Sequence, residues 1–283
     1  MRRIRIVLDA IQFHHSVFAL PFALISMLLA GEGWPAPGTI LWIVLAAVFA
    51  RSAAMGFNRW ADADLDGRNP RTRLRAIPSG LLTRRFMLGF TILNAALFTL
   101  SAGMLNRLCL YLSLPCLGVL LGYSYSKRFT TASHLWLGVA LGIAPIGAWI
   151  AVRGSIHWIP VLLGAAVTLW VAGFDILYAC QDAEVDRREG LHSIPARLGI
   201  VRALWLSAVL HLLAWLGFAL VGWISALGVT YAVALGATAV LLLWQHWIVR
   251  PGDLSRVNAA FFTANGLISI CLFVAAAIDL TWA

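Results

Sequence analysis

Charge is absent from long stretches of this chain. Residues 10–31, 33–50, 86–106, 108–126, 129–152, 154–174, 203–249 and 257–278 contain no Asp, Glu, Lys or Arg. A helix needs about 20 apolar residues to cross roughly 30 Å of hydrocarbon. Seven of the runs fit one crossing each. The run 203–249 would extend for roughly 70 Å at about 1.5 Å per residue, so it must fold back, and its weakest point is Gly222 to Thr230. The pattern predicts nine transmembrane helices, near 13–31, 38–58, 86–104, 108–126, 134–152, 158–180, 203–221, 229–248 and 258–280. Pro21, Pro115 and Pro145 fall inside these spans and are expected to kink them, helping to open a central cavity. The expected fold is therefore all-α and multi-pass, one intramembrane domain over residues 1–283.

Composition agrees. The chain is 61% hydrophobic and 12% charged, and its mean hydropathy of +0.86 lies outside the range of soluble domains. The 21 basic residues then orient the spans. With a cytoplasmic N-terminus, all but Arg51, Arg107 and Arg153 fall in cytoplasmic segments, a strong positive-inside signal. This accounts for an isoelectric point near 10.3. Nucleic-acid binding is a poor reading of it, because the basic clusters are short and separated by spans. A cleavable signal peptide competes for the first span, but Leu29-Ala30-Gly31 is a loose cleavage site and the run is long enough to cross. Cys109, Cys116, Cys180 and Cys271 lie in apolar runs without metal-ligand spacing and read as core residues.

Most of the 12 acidic residues gather in two places. At the end of the second span, Asn58, Asp62 and Asp66 recur every four positions and share one helix face, while Asp64 points elsewhere. At the end of the sixth, Tyr178, Asp182 and Asp186 repeat that spacing, with Asp175 one turn earlier and Glu184 off the row. The separations from Asn58 to Tyr178, Asp62 to Asp182 and Asp66 to Asp186 are identical, and arginines and an Ile-Pro pair follow each cluster. The match hints at a duplicated four-helix unit: helices 1–4 over about 10–128, helices 5–8 over about 132–250, then a ninth. Carboxylates near hydrocarbon repel one another and are expensive, so such rows need cations. Their donors are hard oxygens, and Mg²⁺ takes one or two carboxylates together with phosphate oxygens and water. Two facing rows are thus candidates to hold Mg²⁺ bridged to a diphosphate, with Asn58, Asp62, Asp66, Asp182 and Asp186 as ligands. Decoration of two loops is the plainer alternative.

Arg51 lies two turns deeper than Asn58 on the same face. An arginine in a span is a functional candidate, able to pair with an aspartate, bind diphosphate or hold a carboxylate, while snorkelling is its ordinary explanation. His14, His15, His134 and His192 are candidates for the mouth of the cavity or for ordinary interfacial positions.

The chain resembles the UbiA superfamily of intramembrane aromatic prenyltransferases. The matching residues are Asn58, Asp62 and Asp66, then Asn69-Pro70-Arg71-Thr72, then Tyr123-Ser124-Tyr125-Ser126-Lys127-Arg128, and finally Asp182 and Asp186. It departs at one point: many relatives have Asp after the motif Asn, and Arg59 stands there, leaving the first cluster one carboxylate poorer. The resemblance implies transfer of a polyprenyl group from its diphosphate to an electron-rich aromatic ring. Mg²⁺ and cationic side chains would stabilise the leaving diphosphate, and a dry cavity would protect the allylic cation. It implies catalytic roles for Asp62, Asp66, Asp182 and Asp186. Lys127, Tyr123 and Arg128 become candidates for diphosphate contact, against an ordinary cytoplasmic anchor. Arg71 and Arg75 join them, against lipid headgroups as their partners. Tyr178 is a further substrate-binding candidate, and Asp175 one for activating the ring or positioning the acceptor.

The second motif, YACQDAEVDRREGLHSIPARLG, resembles a bacterial branch that prenylates 4-hydroxybenzoate and includes enzymes acting on 1,4-dihydroxy-6-naphthoate for menaquinone. Respiratory quinone biosynthesis, ubiquinone or menaquinone, is the implied setting. The implied partners are a polyprenyl diphosphate, an aromatic hydroxy acid and the bilayer of the bacterial inner membrane, with the site opening to the cytoplasm. No obligate protein partner is evident. A CDP-alcohol phosphotransferase is disfavoured because Asp66-Gly67 continues Arg68-Asn69-Pro70 rather than x-x-Ala-Arg. A haem- or lipid-prenylating relative would share the metal site. A transporter with paired acidic sites is the non-enzyme alternative.

Overall fold

The computed structural model describes residues 2–12 and 17–282, and no β-strand occurs among them. A short basic helix, α1 (Arg2–Ala10), precedes α2 (Leu20–Gly31), α3 (Pro37–Ala61), α4 (Ala63–Arg68), α5 (Arg84–Leu105), α6 (Arg107–Ser126), α7 (Ser133–Arg153) and α8 (Trp158–Ala179). Then come α9 (Ala183–Arg188), α10 (Ile194–Leu198), α11 (Ile200–Ile224), α12 (Val229–Ile248), α13 (Val257–Ala259) and α14 (Asn265–Thr281). Eight helical segments among the described residues are long and apolar enough to span a bilayer. The expected break in the run 203–249 falls between α11 and α12.

The first expected span differs. Residues 13–16, including His14 and His15, lie outside the described residues, and the apolar helix α2 has 12 residues, about 18 Å at about 1.5 Å each. Pro21 explains where α2 begins. It occupies the first turn of the helix, where a missing N–H has no partner to lose, rather than kinking a longer helix. Pro115 and Pro145 do lie inside helices, α6 and α7. The Ser26 hydroxyl on α2 donates to the Pro145 carbonyl at 2.6 Å.

α8 is the most buried span, packed between α7 and α11. Small residues permit the α7–α8 approach. A Cβ on Gly142 would meet the Gly164 carbonyl oxygen at 2.4 Å, and one on Gly138 would meet that of Thr168 at 2.3 Å. Lipid supplies little hydrophobic drive between helices, so such backbone contact is a main source of their cohesion. On the opposite side of α8, Trp170, Phe174, Phe218 and Phe22 form an aromatic core, with the Phe22 and Phe218 rings stacked 5.2 Å apart. Outward faces carry Trp205, Trp223, Val229 and Leu243 largely exposed, a surface suited to hydrocarbon rather than water. Helices α3, α6 and α7 contribute walls to two adjoining cavities.

Gly142→Val should lower stability by about 1–3 kcal/mol, since the clash is with backbone and cannot be relieved by a rotamer change. Thermal unfolding in detergent measures this. Gly147→Val is the control, because its Cβ would meet nothing within 4 Å.

Candidate active site

The first acidic row is not carried by one continuous helix. Asp62 ends α3 with φ −94° and ψ 4°, and α4 resumes at once. The turn is small enough for the Asp62 N–H to reach the Asn58 carbonyl at 2.9 Å and for the Asp66 N–H to reach the Asp62 carbonyl at 2.8 Å. The second row is interrupted in the same way, by a tight turn over Cys180–Asp182 between α8 and α9. The expected four-residue rows therefore survive, each bent at its middle aspartate.

Every buried aspartate of the first row meets cations. Asp62, 2% exposed, lies 3.0 Å from Lys127 Nζ and 3.2 Å from Arg128 Nη2. It also accepts from Asn58 Nδ2 at 3.1 Å. Arg128 donates to the Ala61 carbonyl at 2.6 Å and lies over the Tyr125 ring. Asp66 pairs with Arg75 at 2.7 Å. Its other oxygen stands 3.7 Å from Arg59 Nη1, and neither that oxygen nor that nitrogen has a hydrogen-bond partner. Arg59 is buried and anchored through Nε to the Ala10 carbonyl at the end of α1, at 2.9 Å. The residue that makes the first motif poorer in carboxylate thus supplies an internal cation.

The segment after α4 reaches across to the second row. Asn69 Nδ2 donates to Asp182 Oδ1 at 3.0 Å. Arg71 Nε meets the same oxygen at 2.9 Å, Nη2 meets Oδ2, and Nη1 donates to the Tyr178 hydroxyl at 2.9 Å. The Arg71 guanidinium also lies over the Tyr178 ring. Burial alone would lower the Arg71 pKa, but its bonds to Asp182 and Tyr178 outweigh burial and raise it. The off-row acids turn outward. Asp64 pairs with Arg84, whose hydrogen bond holds its carboxyl below the usual range, and Glu184 pairs with Arg188.

Both rows line one polar cavity of about 250 Å³, with Arg51, Arg59, Arg71, Arg75, Tyr123, Lys127, Asp175 and Tyr178. Beside it lies an apolar cavity of about 480 Å³, walled by Ala, Leu, Ile and Val with Phe98. Arg51, Met55, Tyr123, Leu137 and Leu141 line both. Arg51 donates to the Gln12 carbonyl at 3.2 Å, and its buried Nε has no partner. Of the three roles open to it, pairing with an aspartate is not found among the described residues. His134 is buried, with Nδ1 2.7 Å from Asp175 Oδ2. His192 gives only its backbone N–H to the Lys127 carbonyl, at 2.8 Å. The Arg59 anchor and the His134–Asp175 bond were not legible in the sequence, where both partners carried only weak local signals.

Among the described residues, no three His, Cys, Asp or Glu side chains converge to hold a metal unaided. The donor set nonetheless fits Mg²⁺, which needs only one or two protein carboxylates when phosphate and water complete its octahedron. Asp66 keeps a buried carboxylate oxygen without a hydrogen bond, and Asn58 Oδ1, Asp62, Asp182 and Asp186 add hard donors on the walls of the same cavity.

Long apolar helices packed around adjoining polar and apolar cavities define a multi-pass membrane protein. The model of the UbiA prenyltransferase family matches residues 19–267, and the chain belongs to that family. A 4-hydroxybenzoate octaprenyltransferase of Methylococcus capsulatus is 33% identical over 267 residues, covering 92% of this chain and 89% of the relative. One from Ralstonia nicotianae is 32% identical over 259 residues, covering 89% and 86%. The apo structure of a UbiA homolog from Aeropyrum pernix K1 superposes with a TM-score of 0.84 at 32% identity, covering 92% of this chain and 97% of that one. A UbiA homolog from Archaeoglobus fulgidus bound to DMAPP and Mg²⁺ shares the fold, with a TM-score of 0.72 at 18% identity over 97% and 98% of the two chains.

Removing the Arg71 guanidinium with Arg71→Ala should free the segment that crosses between the rows. Backbone amides over residues 69–76 are expected to exchange faster in hydrogen–deuterium exchange, with α7 unaffected. Unchanged protection would mean that other contacts hold the crossing.

Proposed function

We propose that this protein is a Mg²⁺-dependent 4-hydroxybenzoate polyprenyltransferase of respiratory quinone biosynthesis. The observation that carries this reading is the shared lining of the two cavities: aspartates and cations on one side, hydrocarbon on the other, and Arg51 at the junction. The names of the relatives above support the acceptor, and the ligands of the Archaeoglobus fulgidus homolog support the donor and the metal. The protein then belongs in the bacterial inner membrane with its polar mouth toward the cytoplasm, a placement supported by the asymmetry of its basic residues.

In this reading the diphosphate lodges between the two aspartate rows and the polyprenyl tail lies in the apolar cavity. Mg²⁺, when bound through Asn58, Asp62, Asp66, Asp182 and Asp186, would neutralise the diphosphate and stabilise it as a leaving group. Lys127, Arg71, Arg75 and Arg128 add positive charge to the same mouth, with Arg71 suited to bidentate phosphate contact. The Tyr123 and Tyr178 hydroxyls donate to phosphate oxygen. As the allylic C1–O bond breaks, its electron pair leaves with the diphosphate, and a ring carbon ortho to the acceptor hydroxyl attacks C1. The apolar wall excludes water that would otherwise capture the cation. Arg51, with an N–H still unpaired, holds the acceptor carboxylate and so presents the hydroxyl-bearing edge of the ring.

The test is an assay of the purified protein with Mg²⁺, a polyprenyl diphosphate and either 4-hydroxybenzoate or 1,4-dihydroxy-6-naphthoate, with products read by mass. Prenylated 4-hydroxybenzoate is expected. Product from the naphthoate alone would reassign the acceptor, and none with either acid would refute the activity. Asp62→Ala and Asp182→Ala should each lower turnover at least about a hundredfold while the protein still inserts. Arg51→Ala should raise the KM of the acid about tenfold or more, the scale of losing a charge-assisted hydrogen bond, and leave the KM of the diphosphate unchanged.

A further inference from the structure

Forming the new bond leaves the acceptor ring with a positive charge and one hydrogen too many. The C–H electron pair must return to the ring and the proton must go to a base, in a cavity from which water is excluded. Most carboxylates on the cavity wall are clamped by cations. Asp62 faces Lys127 and Arg128, Asp66 faces Arg75 and Arg59, Asp182 faces Arg71, and Glu189 faces Arg68. Asp186 has no ion pair among the described residues, but it belongs to the row assigned to the metal; Asp175 lies outside both rows and is held by an imidazole.

That imidazole has a defined orientation. His134 Nε2 lies 3.2 Å from the backbone N–H of Ile194, a donor that cannot become an acceptor. Nε2 must therefore accept, so the ring hydrogen sits on Nδ1 and is donated to Asp175 Oδ2 at 2.7 Å. The His134 side chain is 4% exposed and that of Asp175 is 26% exposed, so the imidazole is hidden while the carboxylate faces the cavity. Among the described residues Asp175 Oδ1 has no hydrogen bond. The pair sits beside the junction of the two cavities: Leu137, one turn along α7 from His134, lines both.

We propose that Asp175 accepts the proton lost by the acceptor ring, and that His134 is the positioning residue that keeps Oδ1 aimed at it. The proposal rests on the aryl prenyltransferase reading above. The ring C–H bond breaks, its electrons restore aromaticity, and Asp175 becomes a carboxylic acid that passes its proton to water at the polar mouth. His134 keeps its own hydrogen throughout. Because Ile194 opens α10, shortly after the second aspartate row, His134 also ties the base to the segment that follows Asp186.

The test uses the purified full-length protein with geranyl diphosphate, Mg²⁺, and 4-hydroxybenzoate carrying either hydrogen or deuterium at both positions ortho to its hydroxyl. Wild type is expected to show little isotope effect, since a base held in place removes the proton quickly. His134→Ala should lower kcat at least about a hundredfold, the lower range for a displaced general base, with both KM values retained and a clear isotope effect exposed. His134→Asn should recover much of that loss, because its Nδ2–H occupies the place of Nδ1–H and still donates to Asp175. Asp175→Asn keeps the size and one hydrogen bond but cannot take the proton, and should lose at least as much kcat as His134→Ala. The inference is overturned if His134→Ala turns over normally, if its loss appears without an isotope effect, or if the Asn variant is no better than the Ala variant. An active Asp175→Asn overturns it even where His134→Ala fails to fold. A wild-type protein that forms no prenylated product refutes the activity itself, and this inference with it.

Discussion

Carboxylates at the edge of a bilayer are expensive unless cations stand against them, and this constraint organises the molecule. An unpaired charge in a span costs about 2.5–3.5 kcal/mol on insertion scales. Here the buried acids are met from several directions: Lys127 and Arg128 from the end of α6, Arg75 and Arg71 from the segment after α4, and Arg59 from α3 itself. The pairing ties the ends of α3, α6 and α8 together at one end of the bundle. It also stores positive and negative charge where a diphosphate and its metal need both. One set of contacts therefore stabilises the fold and readies the site.

The rest of the bundle keeps that charged end next to a dry chamber. Close backbone contact at Gly138, Gly142 and Gly164 fixes α7 against α8, and these two helices carry His134 and Asp175. Pro115 and Gly147 line the apolar cavity, and the place a Gly147 Cβ would take has no neighbour within 4 Å. Breaks in the helices at Asp62 and over Cys180–Asp182 occur on the cavity wall. Irregular backbone at such depth is tolerated when it lines a polar space rather than lipid. The bends have a chemical consequence, since each lies at the middle aspartate of its row.

Arg59 shows how a departure from a motif can be read physically. As a lost carboxylate it subtracts a ligand. As a buried guanidinium it partly neutralises Asp66 and fastens the end of α1 to the site. Arg51 fastens the following residues in the same manner, through Gln12. The N-terminal helix thus meets the cavity through its terminal carbonyl groups, which no sequence pattern announces.

What could be read from the chain alone was local. Charge-free runs set the spans, because a bilayer tests each segment separately by length and polarity. Four-residue spacing set the two acidic rows, because neighbours on one helix face are fixed by the helix itself, and the small bends at Asp62 and Asp182 did not scatter them. The start of α2 was not legible, since the same Pro21 can kink a long helix or begin a short one. Which side chain meets which carboxylate was decided only by tertiary structure: Arg71 reaches Asp182 across 111 positions and His134 reaches Asp175 across 41. Those distances in sequence carry no signal of their own, because such pairs form only when packing along α7, α8 and the segment after α4 brings them within hydrogen-bond length.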